Sequence, residues 1–322
     1  MNVLITGGAG YIGGTVAGVM MEAGHRVLVY DNLCHSRLAA VPHGALFIEG
    51  DIGDRARLDA VFQEHKPEAV LHFAALIEAG ESMQRPEKYF ANNTASTLVL
   101  LQAMLAAQVN KLVFSSTAAV YGEPVTTPIS EDAALRPTNP YGESKLLVEQ
   151  MLAWLHRIHG LRYASLRYFN VAGAVPGRGE AHEPESHLVP LILDVALGRR
   201  KDIRIYGVDY PTPDGTCVRD YIHVRDLADA HVLALQALER ESRMIYNLGN
   251  GQGFSVREVV ASARRVTGHP IPVEEVPRRP GDPAVLVASS AKIARELGWR
   301  PRYTRLDEII ASAWEWHRQR YV

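Results

Sequence analysis

The chain has 322 residues, a formal net charge of −2 at pH 7 and two cysteines. With 47% hydrophobic and 22% charged residues it has an average globular composition, which excludes disordered, collagen-like and coiled-coil proteins. A nearly neutral chain without a long basic segment lacks the field that draws proteins onto nucleic acid, and two cysteines are too few for a disulfide-built secreted fold. We expect neither a nucleic-acid partner nor such a fold.

The first half of the chain alternates short apolar runs with longer segments of helical period. The strand-like runs are residues 3–5, 26–30, 69–73, 111–115 and 163–167, and the longest helical segments are residues 12–23, 87–107 and 141–159. Strands separated by helices of this length are typical of a parallel sheet. The pattern therefore predicts an α/β fold with a doubly wound parallel sheet of Rossmann type.

Beyond residue 170 the sequence becomes rich in glycine and proline, which predicts a second part. We place the first domain at residues 1–172 and a smaller C-terminal α/β domain at residues 173–322. The apolar pattern of residues 218–248 suits packing back on the first domain. No apolar stretch reaches the ~20 residues of a membrane span, and the apolar run before Gly7 is short and has no basic region, so we expect no signal peptide. We expect a cytoplasmic protein without a membrane partner.

A glycine-rich turn joins the first predicted strand to the first predicted helix. Residues 7–13, Gly-Gly-Ala-Gly-Tyr-Ile-Gly, fit the pattern Gly-x-Gly-x-x-Gly from Gly8. Glycines let the backbone approach a pyrophosphate, whose charge the helix N-terminus stabilises. Asp31 ends the second predicted strand 23 residues after Gly8, near the ~20-residue offset of a ribose-binding carboxylate. Because Asp31 would repel a 2′-phosphate, the motif predicts NAD.

A tyrosine and a lysine at i and i+4, Tyr141 and Lys145, share one face of a predicted helix. A phenol with a pKa of ~10 is a poor base unless a positive charge stabilises the phenolate, and Lys145 would help to provide that charge. Ser115 to Thr117 end a predicted strand, where open α/β sheets bind ligands. These residues predict a site that moves a proton to and from a hydroxyl.

With these motifs the chain resembles the extended short-chain dehydrogenase/reductase superfamily and, within it, the UDP-glucose 4-epimerases. The resemblance runs essentially from end to end, and it is carried by residues 6–13, 31–33, 50–52, 72–75, 141–145, 166–170, 218–224 and 278–283. It implies an isomerase of galactose metabolism with bound NAD and a UDP-sugar substrate. It also implies that residues 1–172 bind NAD, that residues 173–322 bind the nucleotide sugar, and that a homodimer forms through residues 87–107 and 141–159.

The resemblance implies roles for individual residues. Tyr141 matches the catalytic base, Lys145 its partner and Thr117 the residue that hydrogen-bonds the sugar 4-hydroxyl. The implied cofactor-binding residues are Gly7, Gly10, Tyr11, Ile12, Gly13, Asp31, Asn32, Leu33, Cys34, His35, Ser36, Asp51, Ile52, Phe73, Ala74, Ala75, Asn92, Ser115, Tyr141, Lys145 and Phe169. The implied substrate-binding residues are Thr117, Tyr141, Asn170, His187, Leu188, Arg204, Ile205, Tyr206, Arg219, Arg279, Asp282 and Leu286.

The implied reaction interconverts UDP-galactose and UDP-glucose through a 4-keto sugar. Two departures from the pattern leave the reaction class unchanged: Ile77 replaces a lysine of some members, and His187 replaces an asparagine. Leu286 stands where some members have a tyrosine, so we expect room for an N-acetyl group and reaction of UDP-N-acetylhexosamines. Ala118 and Ala119 lack the acidic groups of sugar dehydratases.

Two other functions stay open at this point. One is another NAD-dependent nucleotide-sugar epimerase or reductase of the same superfamily. The other is a sensor that binds NAD without catalysis, which would have no need for Thr117, Tyr141 and Lys145 together. We predict no metal site, because His156 and His159 have no acidic or cysteine ligands near them in the sequence.

Overall fold

The computed structural model describes residues 1–182, 184–279 and 282–321, and these form two compact units. Unit 1 comprises Met1–Gly122, Ala134–Arg167 and Ala228–Tyr246. Unit 2 comprises Glu123–Ala133, Tyr168–Leu227 and Asn247–Val322.

The elements follow one another in the alternation that the sequence predicts. The strands are β1 (Asn2–Thr6), β2 (Arg26–Asp31), β3 (Leu46–Glu49), β4 (Ala69–His72), β5 (Lys111–Thr117), β6 (Arg162–Tyr168), β7 (Asn170–Ala172), β8 (Ala174–Val175), β9 (Arg178–Gly179), β10 (Ile203–Tyr206), β11 (Val218–His223), β12 (Arg243–Leu248), β13 (Gly253–Ser255), β14 (Val273–Val276) and β15 (Val285–Leu286). The α-helices are α1 (Tyr11–Glu22), α2 (Arg55–His65), α3 (Ala79–Ser82), α4 (Pro86–Tyr89), α5 (Ser96–Ala106), α6 (Pro140–His159), α7 (Leu188–Ala196), α8 (Val224–Ala237), α9 (Val256–Thr267), α10 (Ala291–Leu297) and α11 (Leu306–Tyr321). A π-helix covers Phe90–Ala95, and 3₁₀ turns cover Leu38–Ala40 and Ala118–Tyr121.

Unit 1 is built on a seven-stranded sheet with the order β12-β6-β5-β4-β1-β2-β3. The pairs of β1 with β2 and β4, of β2 with β3 and of β4 with β5 are all parallel. Parallel strands are covered on both faces, and Val3, Leu4 and Ile5 of β1 are accordingly fully buried. The strand order reverses beside β1, where doubly wound sheets bind ligands at the carboxyl ends of the strands. The predicted fold class is confirmed.

Helix α6 covers the predicted helical segment 141–159 and begins one residue earlier, at Pro140. The Asn139 side chain accepts a hydrogen bond from the Gly142 N–H at 2.9 Å, and Pro140 occupies the first turn, so the helix N-terminus is capped. The helix ends at Gly160, which adopts the left-handed conformation with φ 69°. This start places Tyr141 in the first turn and Lys145 one turn later.

Unit 2 is organised around β11, which pairs in parallel with β7 and β15 and antiparallel with β13. A second small sheet pairs β10 with β14. The core of the unit joins apolar residues of α7, α9 and α11, among them Ile192, Val259 and Ile309. Helix α9 starts with a capping box of Ser255 and Glu258.

The boundaries of the two compact units differ from those of the predicted domains, residues 1–172 and 173–322. Of the segment predicted to pack on the first domain, residues 228–246 belong to unit 1, whereas residues 218–227 belong to unit 2 because β11 pairs with β7 and β15. Residues 123–133 also belong to unit 2, where Ile129 bridges to Ala288. The predicted helical segment 87–107 is a succession of α4, the π-helix and α5. The assignment of one part to NAD and the other to the nucleotide sugar stays a prediction.

Within residues 1–182, 184–279 and 282–321, no helix is long and apolar enough to cross a membrane. Over the same ranges, no group of three or more His, Cys, Asp or Glu side chains is placed to hold a metal ion.

Candidate active site

The glycine turn after β1 leaves no room for side chains. Gly7 has φ 72°, and a Cβ atom there would lie 2.6 Å from the Ala74 nitrogen. A Cβ atom at Gly13 would lie 2.3 Å from the Gly7 carbonyl oxygen. Gly10 caps α1 without a side-chain hydrogen bond, so the helix N-terminus is open to an anion. The turn is therefore shaped to bring backbone N–H groups up to a pyrophosphate.

Asp31, at the carboxyl end of β2, faces the same turn. Its Oδ2 accepts a hydrogen bond from the Ala9 N–H at 3.0 Å, and its Oδ1 accepts from the Leu33 N–H at 2.8 Å and the Ser36 hydroxyl at 3.1 Å. A carboxylate offers about four acceptor positions, so these bonds leave capacity for a ribose hydroxyl. The negative charge suits NAD rather than its 2′-phosphorylated form.

A second carboxylate, Asp51, lies beside the loop that follows Asp31. Its Oδ2 accepts from the Asn32 side-chain amide at 2.7 Å and its Oδ1 from the Gly53 N–H at 2.7 Å. Asn32 in turn accepts from the Cys34 N–H at 3.1 Å. These bonds bring two predicted cofactor-binding segments together. Their residues are Asp31, Asn32, Leu33, Cys34, His35, Ser36, Asp51 and Ile52.

The segment after β4 closes over the glycine turn. The N–H groups of Phe73 and Ala74 donate to the Thr6 carbonyl at 2.9 and 3.2 Å, and Ala75 follows them. Asn92 lies in the π-helix, where its amide donates to Asn93 Oδ1 at 2.9 Å. Such single π-turns are frequent at functional sites.

Asn93, next to Asn92, is not indicated as a site residue by the sequence. It is buried, accepts from the Leu76 N–H at 2.8 Å, and donates to the Leu76 carbonyl at 2.9 Å and to the Ser144 hydroxyl at 3.1 Å. Asn93 thereby ties the segment after β4 to α6, immediately before Lys145. The only signal in the sequence is an Asn-Asn pair inside a segment of helical period.

Lys145 lies buried under the carboxyl end of β5. Its Nζ donates to the Ser115 carbonyl at 2.9 Å and lies 5.0 Å from the centroid of the Phe114 ring. Burial lowers the pKa of Lys145 to about 7. In its ammonium form Lys145 carries the positive charge that stabilises a nearby phenolate.

The Tyr141 phenol meets Thr117, the last residue of β5. Burial raises the pKa of Tyr141, a hydrogen bond with the Thr117 side chain lowers it, and the nearby Glu78 carboxylate raises it. The Tyr141 backbone N–H donates to the Ser82 hydroxyl at 3.2 Å. The three predicted catalytic residues thus lie together at the sheet edge where α/β proteins bind ligands.

Unit 2 holds most of the predicted substrate residues, in two groups. In the first, Arg219 donates to Asp282 at 2.6 Å and lies opposite Leu286 in the pairing of β11 with β15. In the second, the Arg279 guanidinium stacks 3.8 Å from the centroid of the Tyr206 ring, and Arg204 and Ile205 precede Tyr206 on β10. Of the predicted motif 278–283, Pro280 and Gly281 lie outside the described residues.

The remaining predicted site residues of unit 2 lie at element ends. His187 precedes α7, which starts at Leu188, and its Nδ1 is 2.8 Å from Glu185 Oε1. Phe169, predicted with the cofactor set, is buried in unit 2 and its N–H donates to the Leu248 carbonyl at 3.1 Å. Asn170 begins β7.

The chain is similar to known proteins over almost its whole length. Residues 3–249 match the model of the NAD dependent epimerase/dehydratase family. A UDP-glucose 4-epimerase of Streptomyces lividans is 56% identical over 98% of this chain and 95% of the relative, and one of Halalkalibacterium halodurans is 52% identical over 99% and 96%. The crystal structure of a UDP-glucose 4-epimerase from Stenotrophomonas maltophila, with bound NAD and formylated UDP-arabinopyranose, superposes with a TM-score of 0.96 at 44% identity and covers 99% of this chain and 98% of that one.

The tight glycine turn after β1, the Asp31 carboxylate beside it and the Tyr141–Lys145 pair all lie within residues 3–249, the part of the chain that the family's model matches. The chain belongs to the NAD dependent epimerase/dehydratase family.

Proposed function

We propose that this protein is a UDP-glucose 4-epimerase, which interconverts UDP-galactose and UDP-glucose. The observation that carries the proposal is the meeting of Tyr141 with Thr117 and of Lys145 with the Ser115 carbonyl at the carboxyl end of β5. The two relatives that are 52% and 56% identical support the choice of substrate, because both are UDP-glucose 4-epimerases.

NAD is the cofactor that the residues of unit 1 fit. The glycine turn would hold its pyrophosphate, Asp31 a ribose, Asp51 and Ile52 its adenine, and Tyr11, Phe73 and Asn92 further parts of the molecule. When bound, NAD takes up a hydride from C4 of the sugar and returns it, so that the reaction consumes no external oxidant.

Tyr141 is the group to which we assign proton transfer. As a phenolate it accepts the proton of the sugar 4-hydroxyl, and as a phenol it returns this proton to the 4-keto oxygen once the sugar has presented its other face. Thr117 holds the 4-oxygen by a hydrogen bond, and Lys145 stabilises the phenolate by its charge. The proton that leaves the hydroxyl is thus stored on the protein during each turnover.

The diphosphate and uridine are assigned to unit 2. Arg219 and Arg279 carry the planar donor sets that bind phosphate oxygens in pairs. The other residues that we assign to the uridine diphosphate are Asn170, His187, Leu188, Arg204, Ile205, Tyr206 and Asp282. A substrate held by its diphosphate leaves the sugar free to turn, as inversion at C4 requires.

The test is incubation of the purified protein with UDP-galactose and no added NAD, with UDP-glucose assayed and the absorbance of reduced nicotinamide recorded. We expect UDP-glucose without a net gain in absorbance. A net gain would show a reductase or dehydrogenase, and cofactor binding with no product would show a sensor.

Removing the negative charge of Glu78 is expected to change the pH dependence of the activity, because this charge acts on Tyr141. The Glu78 carboxylate raises the pKa of Tyr141, so Glu78→Gln lowers that pKa and the phenolate forms at lower pH. The rising limb of the kcat/KM profile should therefore move to lower pH in this variant. Glu81→Gln is the control, because Glu81 bonds to Lys88 and Tyr89 instead. A limb that stays in place or moves upward contradicts this assignment.

We assign UDP-N-acetylhexosamines as additional substrates, because Leu286 offers a smaller side chain than the tyrosine of some relatives. Leu286→Tyr should lower kcat/KM for UDP-N-acetylglucosamine by roughly tenfold or more and leave that for UDP-glucose within a fewfold, since a bulky group in a pocket discriminates by about this factor. A parent enzyme that turns over UDP-N-acetylglucosamine at less than a thousandth of its rate with UDP-glucose would contradict the assignment.

We propose a homodimer through α5 and α6. Trp154 and Ile158 lie one turn apart on α6 with 60% and 65% of their surface exposed, and Leu98 on α5 is 40% exposed. We expect a particle of twice 35.5 kDa by light scattering. Trp154→Glu with Ile158→Glu should give monomers, whereas Val125→Glu, at a site in unit 2 that is 99% exposed, should not. A monomeric parent protein rules the dimer out.

We place the reaction in the cytoplasm. Cys34 and Cys217 are free thiols, as they remain in a reducing compartment.

A further inference from the structure

A buried ion pair lies one helical turn beyond Lys145. Arg167 on β6 and Glu149 on α6 are 2% and 5% exposed. The guanidinium donates through Nε to Glu149 Oε1 at 3.0 Å and through Nη2 to Glu149 Oε2 at 2.6 Å. Because a paired charge of this kind is costly to bury, replacing it by apolar residues often stabilises a protein. Its presence so close to the reacting side chains therefore needs another explanation.

The ion pair forms hydrogen bonds with residues 115–121, the segment that contacts Lys145 and Tyr141. Glu149 Oε1 also accepts the Ser116 hydroxyl at 2.5 Å. Ser116 lies between Ser115, whose carbonyl holds Lys145, and Thr117, whose hydroxyl meets Tyr141. On the far side of Thr117, Arg167 Nη1 donates to the Tyr121 hydroxyl at 2.7 Å, at the end of the 3₁₀ turn. The segment is thus fixed on both sides of Thr117.

The geometry points to Glu149 and Arg167 as positioning residues for the proposed epimerisation. Glu149 anchors Ser116 and so fixes the carbonyl that holds Lys145 and the hydroxyl that meets Tyr141. Arg167 cancels the charge of Glu149, so that the carboxylate one turn from Lys145 does not bind its ammonium group. The inference rests on the proposed function, because it assumes that Tyr141 and Lys145 react.

The other charged and titratable groups around Tyr141 and Lys145 support this role for Arg167. Glu78 acts on Tyr141 from the segment after β4, and the buried His72 of β4 lies near Lys145 with both ring nitrogens bonded, to Thr6 at 2.6 Å and to Thr97 at 2.8 Å. Burial lowers the pKa of His72 to about 3, so His72 is neutral during catalysis. Arg167 is then the cation placed to balance Glu149.

Ser116→Ala tests the anchoring, because it removes one hydroxyl and leaves the ion pair in place. We expect kcat to fall roughly 10- to 100-fold, in the range that small misplacements of reacting groups cost, with KM, bound NAD and the pH profile unchanged. Ser262→Ala is the matched control: Ser262 in unit 2 is equally buried and bonds to Asp307 at 2.5 Å. Its kcat should equal that of the parent.

Glu149→Gln tests whether the charges of Glu149 and Arg167 must balance each other near Tyr141 and Lys145. The variant keeps an acceptor for Ser116 but leaves Arg167, which cannot lose its proton, without its counter-ion. The rising limb of the pH profile should move to lower pH, and adding Arg167→Met should move it back. If Glu149 and Arg167 had a purely structural role, these variants would be less stable to heat. The rising limb of the pH profile, measured on the folded protein, would then stay in place.

The outcomes separate the inference from the proposed function. An inactive parent protein overturns the proposed function itself. An active parent with parental kcat in Ser116→Ala overturns the anchoring, and this variant removes too little to prevent folding. An unmoved pH limb in a folded Glu149→Gln protein overturns the charge argument.

Discussion

Replacement of Tyr141 by phenylalanine is expected to lower kcat by roughly 10²- to 10⁴-fold, the contribution of a positioned general acid-base group. The ring stays and only the oxygen that meets Thr117 is lost, so the fold and the bound NAD should be retained. The measurement is UDP-glucose formation from UDP-galactose at saturating substrate.

The control for this variant is Tyr163→Phe. Tyr163 is a buried tyrosine of β6 in the same unit, and it is outside the proposed site. It should keep most of the parental kcat. A Tyr141→Phe protein with more than a tenth of the parental kcat would show that another group moves the proton.

Replacement of Gly13 by alanine is expected to abolish NAD retention. The added Cβ atom would lie 2.3 Å from the Gly7 carbonyl oxygen, so either the turn or the start of α1 must move away from the pyrophosphate. Loss of two or three backbone hydrogen bonds to an anion corresponds to about 3 kcal/mol or more, which is at least 100-fold in affinity. The purified variant should carry no NAD and should need added NAD for any activity.

Gly18→Ala is the matched control on the same helix. A Cβ atom at Gly18 has nothing within 4 Å, so this change should leave NAD binding intact and stabilise α1 by up to ~1 kcal/mol. Equal NAD content in the Gly13→Ala and Gly18→Ala proteins would show that the glycine turn does not bind the cofactor.

The features that the sequence predicts are those that depend on residues close together in the chain. The turn at residues 7–13 follows directly from glycine spacing between a strand and a helix. Tyr141 and Lys145 lie on one face of α6 because of its helical period. The residues near Asp31 also come together locally, through turn hydrogen bonds that span two to five positions.

The features that could not be predicted depend on pairing between distant segments. Glu149 and Arg167 are 18 residues apart, and Arg219 and Asp282 are 63 apart. No periodicity in either segment indicates such partners. The π-helix escapes prediction for another reason, since one additional residue per turn leaves the apolar pattern of the segment almost unchanged. Residues 123–133 join unit 2 through the long-range bridge between Ile129 and Ala288.

The most direct test of the account is the fate of the hydrogen at C4. UDP-galactose carrying deuterium at C4 would be converted in ordinary water, and the UDP-glucose formed would be examined by NMR and mass spectrometry. We expect deuterium at C4 of the product in full, because the hydrogen removed from C4 returns to C4 within the same turnover. Hydrogen from solvent at C4 would contradict the account, since inversion would then proceed by proton exchange and not by oxidation and reduction at that carbon.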